Sequence, residues 1–321
     1  MGNLASTYSN LGDYEKAQEL KTMVLQKRTQ ILGQDHPDTL RAMGNLARAY
    51  SDLGDYEKAK ELEMVVLEKR TTLLGQDHPD TSMTTENFAR TYPNLGYYEK
   101  AKELGMVVLE KLTKALGGEH PHTLLAMGNL AQTYSNLRDY EKAEELQMRV
   151  LEKRTKVLGE EHHDTLMATG NLARTYSNVG DYRKTKELET LVLHKRTTLL
   201  GQDHPDTLLA MGNLAMTHFN LGDYDRAQEL ETLVLQKRTT LLGQDHRNTL
   251  TAMANLAFTY HSQGEFTRAE ALEIVVLEKQ QQLFGDQHPQ SILAMENLAF
   301  TYRKLQKLKE AEQLEQLVKN I

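Results

Sequence analysis

The sequence predicts an all-α fold, a solenoid built from antiparallel helix pairs, and three observations point to it. An asparagine recurs every 42 residues, at Asn3, Asn45, Asn87, Asn129, Asn171, Asn213, Asn255 and Asn297. Around each asparagine the apolar residues recur at three- and four-residue steps, which is the spacing of one helix face. Most of the 20 glycines stand where a helix should end or directly before the repeat asparagine. A helix pair of this size cannot bury its apolar face alone, so successive pairs are predicted to stack.

The 321 residues are predicted to form one array with no linker and no domain boundary. The repeats span 1–33, 34–75, 76–117, 118–159, 160–201, 202–243, 244–285 and 286–321. The first of them lacks the front of its first helix, which indicates an excised or incomplete array. The exposed ends of such an array carry a risk of end-to-end self-association.

The first helix of a repeat is illustrated by the second repeat. Pro37 suits the first helical position, His36 is then the N-cap, and Asp38 lies in the first turn, where the helix dipole favours an acidic residue. The predicted buried stripe comprises Leu40, Met43, Leu46, Ala47, Tyr50 and Leu53.

The second helix follows after a short turn. Gly54 is predicted to end the first helix in a left-handed conformation, and Asp55 can cap the next one. A second stripe, predicted to be buried, comprises Tyr56, Ala59, Leu62, Val66 and Leu73, and Gly75 ends the helix. The second helix is thus predicted to be about 20 residues long, or about 30 Å.

Composition excludes several classes of protein. The chain has no cysteine, so disulfides, thiolate metal sites and cysteine nucleophiles are excluded and a cytoplasmic location is expected. Its net charge of −7 argues against nucleic acid as a partner, and no apolar run approaches the length of a membrane span. Any catalytic set would recur in every repeat, so no enzyme activity and no cofactor are predicted.

A histidine also recurs every 42 residues, from His36 to His288. Successive helix pairs stand about 10 Å apart, whereas zinc ligands lie about 2 Å from one ion. We therefore interpret these histidines as helix caps, and no metal site is predicted.

The repeat resembles the tetratricopeptide repeat in its 42-residue form. The motifs that carry the resemblance are HPDT at the start of the repeat, NLAxxY in the first helix, GDYEKA at the turn and VLEKR in the second helix. They are similar to the repeats of kinesin light chain, and more so to the C-terminal arrays of fungal and bacterial NB-ARC or NACHT receptor-like proteins. The resemblance implies a right-handed superhelical solenoid whose first helices line a concave groove for a peptide or a partner's helix.

The candidate recognition residues lie on the exposed face of the first helices. Asparagine is a poor helix-interior residue. The repeat asparagines are therefore predicted to bond the backbone of a bound segment, the alternative being that they bond the neighbouring repeat. Three residues on, the candidate positions are Arg48, Arg90, Gln132, Arg174, Met216, Phe258 and Phe300. Seven residues on, they include Asn136, Asn178 and Asn220.

The residue three positions after the asparagine changes character along the chain. It is basic early, as at Arg48, and apolar late, as at Phe258 and Phe300. The sequence thus predicts a ligand that is acidic at one end and bulky and apolar at the other. The alternative is that the arginines are merely solvated and that the phenylalanines pack between neighbouring helices.

Two further features lead to predictions. Gly44, Gly128, Gly170 and Gly212 stand inside first helices; close packing against a neighbour is the favoured explanation, and room for a ligand is the other. The third repeat departs most from the consensus, with Pro93, Tyr97 and Gly105, so residues 86–105 are predicted to be the softest part.

These observations favour a non-enzymatic module that binds a protein or peptide and has neither a nucleic-acid nor a membrane partner. The recognition array of an NB-ARC or NACHT receptor is the first interpretation. A cargo adaptor like kinesin light chain and a self-assembling structural protein are the alternatives.

Overall fold

The computed structural model describes residues 4, 5, 7, 8, 13–75, 78–91 and 95–321, without the side chains at 79, 82, 86 and 88–90. Every regular secondary-structure element in these residues is a helix. Contacts divide the chain into two units, here called the N-terminal unit (Met1–Asn178) and the C-terminal unit (Val179–Ile321).

Fifteen helices alternate along the described part of the chain. The first helices of the repeats are α2 (Pro37–Asp52), α4 (Pro79–Thr91), α6 (Pro121–Asn136), α8 (His163–Val179), α10 (Pro205–Asn220), α12 (Arg247–Gln263) and α14 (Pro289–Lys304). The second helices are α1 (Tyr14–Leu32), α3 (Tyr56–Leu74), α5 (Tyr98–Leu116), α7 (Tyr140–Leu158), α9 (Tyr182–Leu200), α11 (Tyr224–Leu242), α13 (Phe266–Phe284) and α15 (Leu308–Asn320). Within each unit consecutive helices pack on one another, so the predicted all-α solenoid is confirmed.

The repeat histidines cap the first helices, as predicted. In each case Nδ1 accepts a hydrogen bond of 3.1 to 3.2 Å from the backbone N–H two residues on, at His36, His78, His120, His162, His204, His246 and His288. Such a bond satisfies one of the free N–H groups at the helix start. Arg247 stands where the other repeats have proline or histidine, and α12 begins there without disturbance.

The turns between the two helices of a repeat also agree with the sequence. Gly54 has a φ of 83°, and Asp55 accepts a hydrogen bond of 3.2 Å from the N–H of Lys58. Tyr97 replaces the capping aspartate in the third repeat, and its side chain makes no capping hydrogen bond. Pro93, the predicted kink, lies outside the described residues. The softness predicted for 86–105 stays a prediction.

Each unit has its own apolar core between the helix pairs. Met127, Leu130 and Val150 belong to a buried cluster of the N-terminal unit, and Met253 and Met295 to one of the C-terminal unit.

The buried stripes predicted for the second repeat are correct except at their ends. Ala47 and Ala59 are fully buried, as expected for alanines at positions where two helices pack closely. Leu53 is exposed, and Leu73 is 53% exposed, so their assignment to the core was wrong. Both stand in the last turn of a helix or directly after it, where the chain has reached the edge of the stack and no neighbour covers it.

Arginines of the second helices join one repeat to the next. The guanidinium Nη1 of each donates to a backbone carbonyl oxygen in the first turn of the following helix, at 2.8 to 3.0 Å. The pairs are Arg28–Asp38, Arg70–Asp80, Arg154–Asp164, Arg196–Asp206 and Arg238–Asn248. The first-turn carbonyl still has a lone pair after its helical bond, so these contacts fix the stacking without breaking the helix.

Candidate functional site

The repeat asparagines lie on the surface of the first helices. The side chains at 45, 87, 213 and 297 are exposed, and those at 129, 171 and 255 are half-buried. Asn171 Oδ1 accepts a hydrogen bond of 3.4 Å from Arg174 Nη2. Asn45, Asn213, Asn255 and Asn297 make no side-chain hydrogen bond with any described residue. Their amides are therefore open to a ligand. We call the surface formed by these asparagines and by the residues four before, three after and seven after them the Asn face.

The residues three positions after each asparagine share this exposure. Arg48 and Arg174 are exposed and Gln132 is half-buried in the N-terminal unit, whereas the side chain of Arg90 lies outside the described residues. In the C-terminal unit, Phe258 is 55% and Phe300 is 50% exposed, although two phenylalanines would ordinarily be buried. Met216 is exposed as well.

The residues seven positions after the asparagine have mixed roles. Asn136 and Asn220 are exposed, and Asn136 Oδ1 accepts a hydrogen bond of 3.0 Å from Gln132 Nε2. Asn178 Nδ2 instead donates to Ser135 Oγ on the preceding first helix at 2.8 Å. At Asn178, therefore, the amide joins two repeats.

An early cavity of about 420 Å³ lies between α2 and α4 in the N-terminal unit. It brings together three of the predicted residues, Asn45, Arg48 and Asn87. Arg41 and Met83 also line it, although neither was predicted as a site residue. Arg70 at its wall is half-buried, and this burial lowers the pKa of its guanidinium. The acidic residues Asp38, Glu63 and Asp80 line it too, so the cavity presents cationic, acidic, amide and apolar groups side by side.

A late cavity of about 390 Å³ in the C-terminal unit is aromatic instead. Its walls include Phe258, Asn297 and Phe300. Phe258 also packs on Phe219 of the preceding first helix, with ring centroids 4.9 Å apart. Lys304 Nζ lies 5.2 Å from the centroid of Phe300. Phe258 therefore packs against the preceding first helix, and Phe300 does so through His261, yet about half of each phenylalanine stays exposed.

The wall of the late cavity also contains His261 and Glu273, which belong to a polar network not predicted from the sequence. His261 Nε2 is 2.9 Å from Glu273 Oε1, and Thr301 Oγ1 is 2.5 Å from Glu273 Oε2. The ring of His261 lies tilted by 33° against that of Phe300, with the ring centroids 5.3 Å apart. A buried carboxylate needs such partners, because burial without them is costly.

The glutamate of this network recurs in other repeats. Glu63, Glu231 and Glu273 are buried at the same position of α3, α11 and α13, 42 residues or a multiple apart, and Glu189 is half-buried at that position in α9. Burial raises the pKa of Glu231 to about 7, and it also raises the pKa of Glu189, whose Oε2 accepts a hydrogen bond from Thr217. The 42-residue spacing of these glutamates was the signal that could have found them.

A second missed set stands four residues before the asparagines. Met83, Leu125 and Met167 are exposed on α4, α6 and α8, and we call them the apolar row. Leu209 and Leu293 hold the same position in the C-terminal unit. Residues four apart lie on one helix face, so the position of the asparagine could have revealed this row.

The glycines inside the first helices do not pack closely. A Cβ atom built at Gly44, Gly128, Gly170 or Gly212 meets no atom of the structure within 4 Å. The close packing predicted for them was therefore wrong, since these helix surfaces are open beside the asparagines.

Among the described residues, no group of three or more His, Cys, Asp or Glu side chains could hold a metal ion. In the same residues, no helix combines the length and the hydropathy that crossing a bilayer requires.

Comparison with known proteins identifies the repeats. Models described as the tetratricopeptide repeat match residues 1–72, 123–164, 165–206, 207–248, 249–290 and 292–319. No curated protein sequence matches the chain.

Solved structures give three similarities. A Podosopora anserina kinesin light chain protein with nearly identical TPR-like repeats is 30% identical, covers 64% of this chain and 98% of its own, and has a TM-score of 0.55. A STAND signal transduction ATPase of Pyrococcus horikoshii with a tetratricopeptide repeat sensor is 16% identical, with a TM-score of 0.61. The match covers 98% of this chain and 46% of that ATPase. A Rap protein complexed with competence and sporulation factor is 12% identical and has a TM-score of 0.56. The match covers 99% of this chain and 95% of that protein.

Proposed function

Because this chain belongs to the tetratricopeptide repeat family, we propose that it is a non-enzymatic, cytoplasmic protein-interaction module whose Asn face binds a segment of a partner protein. Tetratricopeptide repeats are protein-interaction scaffolds, and the Rap protein of similar fold is complexed with a factor. The observation that carries the proposal is the exposure of the repeat asparagines, four of which make no side-chain hydrogen bond with the described residues.

The partner segment has acidic residues where it meets the N-terminal unit and bulky apolar residues where it meets the C-terminal unit. The early cavity supports the first half through Arg48, because an exposed guanidinium binds a carboxylate in a forked geometry. Arg41 lines the cavity as well, but it is paired with Asp38 at 2.6 Å. The late cavity supports the second half, because an apolar ligand would remove the exposed surface of Phe258 and Phe300 from water.

A selection experiment tests this function. A random peptide library displayed on phage is selected on the full chain, and the enriched sequences are compared for acidic and aromatic content. Arg48→Glu, Arg90→Glu and Phe258→Ala are each expected to weaken binding of the enriched peptides about tenfold or more. Arg149→Glu is the matched control, since Arg149 is exposed on the second helix α7. Unchanged affinity in all three variants would remove the proposal.

The larger protein in which the array acts is proposed to be a receptor of the NB-ARC or NACHT type, with the array as its sensor. The STAND ATPase, whose repeats are a sensor, supports this proposal at the level of the fold. A cargo adaptor is the second candidate, supported by the 30% identity to the kinesin light chain protein. Sequencing the gene on both sides would separate them: a phosphate loop indicates the receptor, and a heptad region the adaptor.

Self-assembly through the ends of the array is the third candidate. Light scattering over a range of concentrations tests it. A mass that rises with concentration would favour a structural role over a recognition module.

A further inference from the structure

The Asn face of the N-terminal unit has three parallel rows of side chains, each repeated once per helix pair. The apolar row (Met83, Leu125, Met167) lies on one side and the asparagine row (Asn45, Asn87, Asn129, Asn171) in the middle. Arg48, Gln132 and Arg174 follow on the other side. Met83, Asn45, Asn87 and Arg48 all line the early cavity, so members of the three rows meet there, between α2 and α4.

The spacing of these rows restricts the conformation of an occupant. If successive first helices have the usual spacing of packed helices, about 10 Å, an occupant must present equivalent side chains about every 10 Å. A β-strand advances about 10 Å in three residues, but its side chains alternate, so equivalent rows would be met by opposite faces. A polyproline II segment has about three residues per turn and rises about 9.3 Å per turn, which brings the same face back at each helix pair. An α-helix also matches, with seven residues in about 10.5 Å.

The asparagine row decides between these two. The backbone amides of an α-helix are already bonded within the helix, so they have no need of side-chain amides. A polyproline II segment has no internal hydrogen bonds, and its N–H and C=O groups must be met from outside. The asparagine amide offers both a donor and an acceptor for that purpose.

The glycines next to the asparagines are consistent with close approach of a backbone. Gly44, Gly128 and Gly170 face open space, so packing within the chain does not require them there. Alanine would favour the helix more than glycine does. A Cβ at these positions would stand where a bound backbone must pass to reach the amides.

We propose that the N-terminal unit binds a polyproline II segment with a three-residue period. One residue of each triplet is apolar and contacts the apolar row, the next is acidic and contacts Arg48 or Arg174, and the third faces solvent. The backbone of the segment bonds the side-chain amides of Asn45 and Asn87, which are exposed and line the early cavity. This proposal rests on the proposed function and adds the conformation and the sequence period of the partner.

Three peptides of about twelve residues test the period by fluorescence anisotropy on the full chain. The first repeats Leu-Glu-Pro, the second has the same composition with Leu and Glu alternating and the prolines at its ends, and the third is a heptad helix former. The first is expected to bind at least tenfold more tightly than the other two. Tighter or equal binding of the second or third peptide, or no binding of the first, overturns the proposal. If another peptide binds and Arg48→Glu weakens it, the proposed function stands while the inference fails.

Two variants test the contacts. Leu125→Asp is expected to weaken binding of the first peptide at least tenfold, whereas Val157→Asp, a similarly exposed position on second helix α7, leaves it unchanged. Gly128→Ala is expected to raise the unfolding midpoint and yet to weaken binding at least fivefold. A glycine with a merely structural role would not separate stability from binding in this way. Unchanged affinity in Leu125→Asp and Gly128→Ala overturns the proposal.

Discussion

Arg196 Nη1 donates a hydrogen bond of 2.9 Å to the backbone carbonyl oxygen of Asp206. Arg196 is 7% exposed, and its buried Nε has no hydrogen-bond partner among the described residues, so the bond from Nη1 offsets part of the cost of burying the guanidinium. The bond joins the second helix of one repeat to the first turn of the next. Stacking in the C-terminal unit thus depends on a charged side chain of the second helix for which the sequence analysis predicted no role.

Arg196→Met should therefore destabilise the chain. The change removes a hydrogen bond from a charged donor, while the Asp206 carbonyl keeps its helical bond, and it should cost about 1–3 kcal/mol. Urea denaturation followed by circular dichroism measures the loss. Arg226→Met is the control, because Arg226 forms an exposed ion pair with Glu229 whose loss should cost less than about 1 kcal/mol. Equal losses of stability in the two variants would show that the bond between repeats contributes no more than an exposed ion pair.

Glu231 should make the stability of the chain depend on pH. Burial raises its pKa from 4.5 to about 7, so the folded chain disfavours the charged form. Below about pH 4.5 the carboxyl is protonated in both states and adds no penalty. Between pH 4.5 and about 7, the free energy of unfolding falls as pH rises, because the unfolded chain ionises this carboxyl before the folded chain does. Above about pH 7 this loss of stability is complete. One pKa unit is about 1.4 kcal/mol, so the full penalty is about 3 kcal/mol.

Glu231→Gln removes this penalty. We expect the variant to exceed the parent chain in stability at pH 8 and to match it near pH 4.5, in urea denaturation at both values. Glu229→Gln is the control at an exposed site of the same helix and should show no such dependence. A stability difference for Glu231→Gln that stays constant with pH would contradict the raised pKa.

Replacing two glycines of the C-terminal unit by alanine should change the stability of the chain in opposite directions. Gly212 is helical and faces open space, so Gly212→Ala should stabilise the chain by about 0.5–1 kcal/mol. Gly222 has a φ of 78°, where a Cβ is strained, so Gly222→Ala should destabilise it by about 1 kcal/mol. Thermal unfolding of the two variants side by side checks the signs. Destabilisation by Gly212→Ala would indicate packing against that helix surface.

The late cavity should bind apolar dyes. Phe258 and Phe300 expose half of their surface and line the cavity together. A naphthalene sulfonate dye should fluoresce with the parent chain and lose most of that signal in the Phe258→Ala/Phe300→Ala double variant. Phe284, exposed at the end of α13, provides the control Phe284→Ala. A dye signal that survives the double variant would place the apolar surface elsewhere.

The sequence predicted the helix limits because they depend on local residues. His36, Pro37 and Gly54 determine where a helix begins or ends, and they act the same way in each repeat. The burial of Leu73 could not be read from the same pattern, because it depends on where the stacked neighbours end. The open surface at Gly128 was missed for the same reason.

The candidate site was partly predictable. The asparagines could be placed on an exposed face because the helical period puts them opposite the apolar stripe of the first helix. The 42-residue period repeats that placement in every repeat. The contact of His261 with Glu273 joins two helices, and no periodicity within one helix reveals it.

Arg138 offers a stabilising change in the N-terminal unit. It occupies the turn after α6 with a φ of 62°, a position that glycine holds in most repeats. A left-handed conformation costs a non-glycine residue about 1–2 kcal/mol, so Arg138→Gly should recover about 1 kcal/mol after allowing for the greater freedom of glycine in the unfolded chain. Gly180→Arg is the reverse change at the equivalent turn after α8, since Gly180 has a φ of 86°, and it should lower stability by a similar amount. Urea denaturation of both variants measures the pair. If Arg138→Gly were destabilising, the side chain of Arg138 would have to make a contact that outweighs the strain, and a double variant with its partner would then identify that contact.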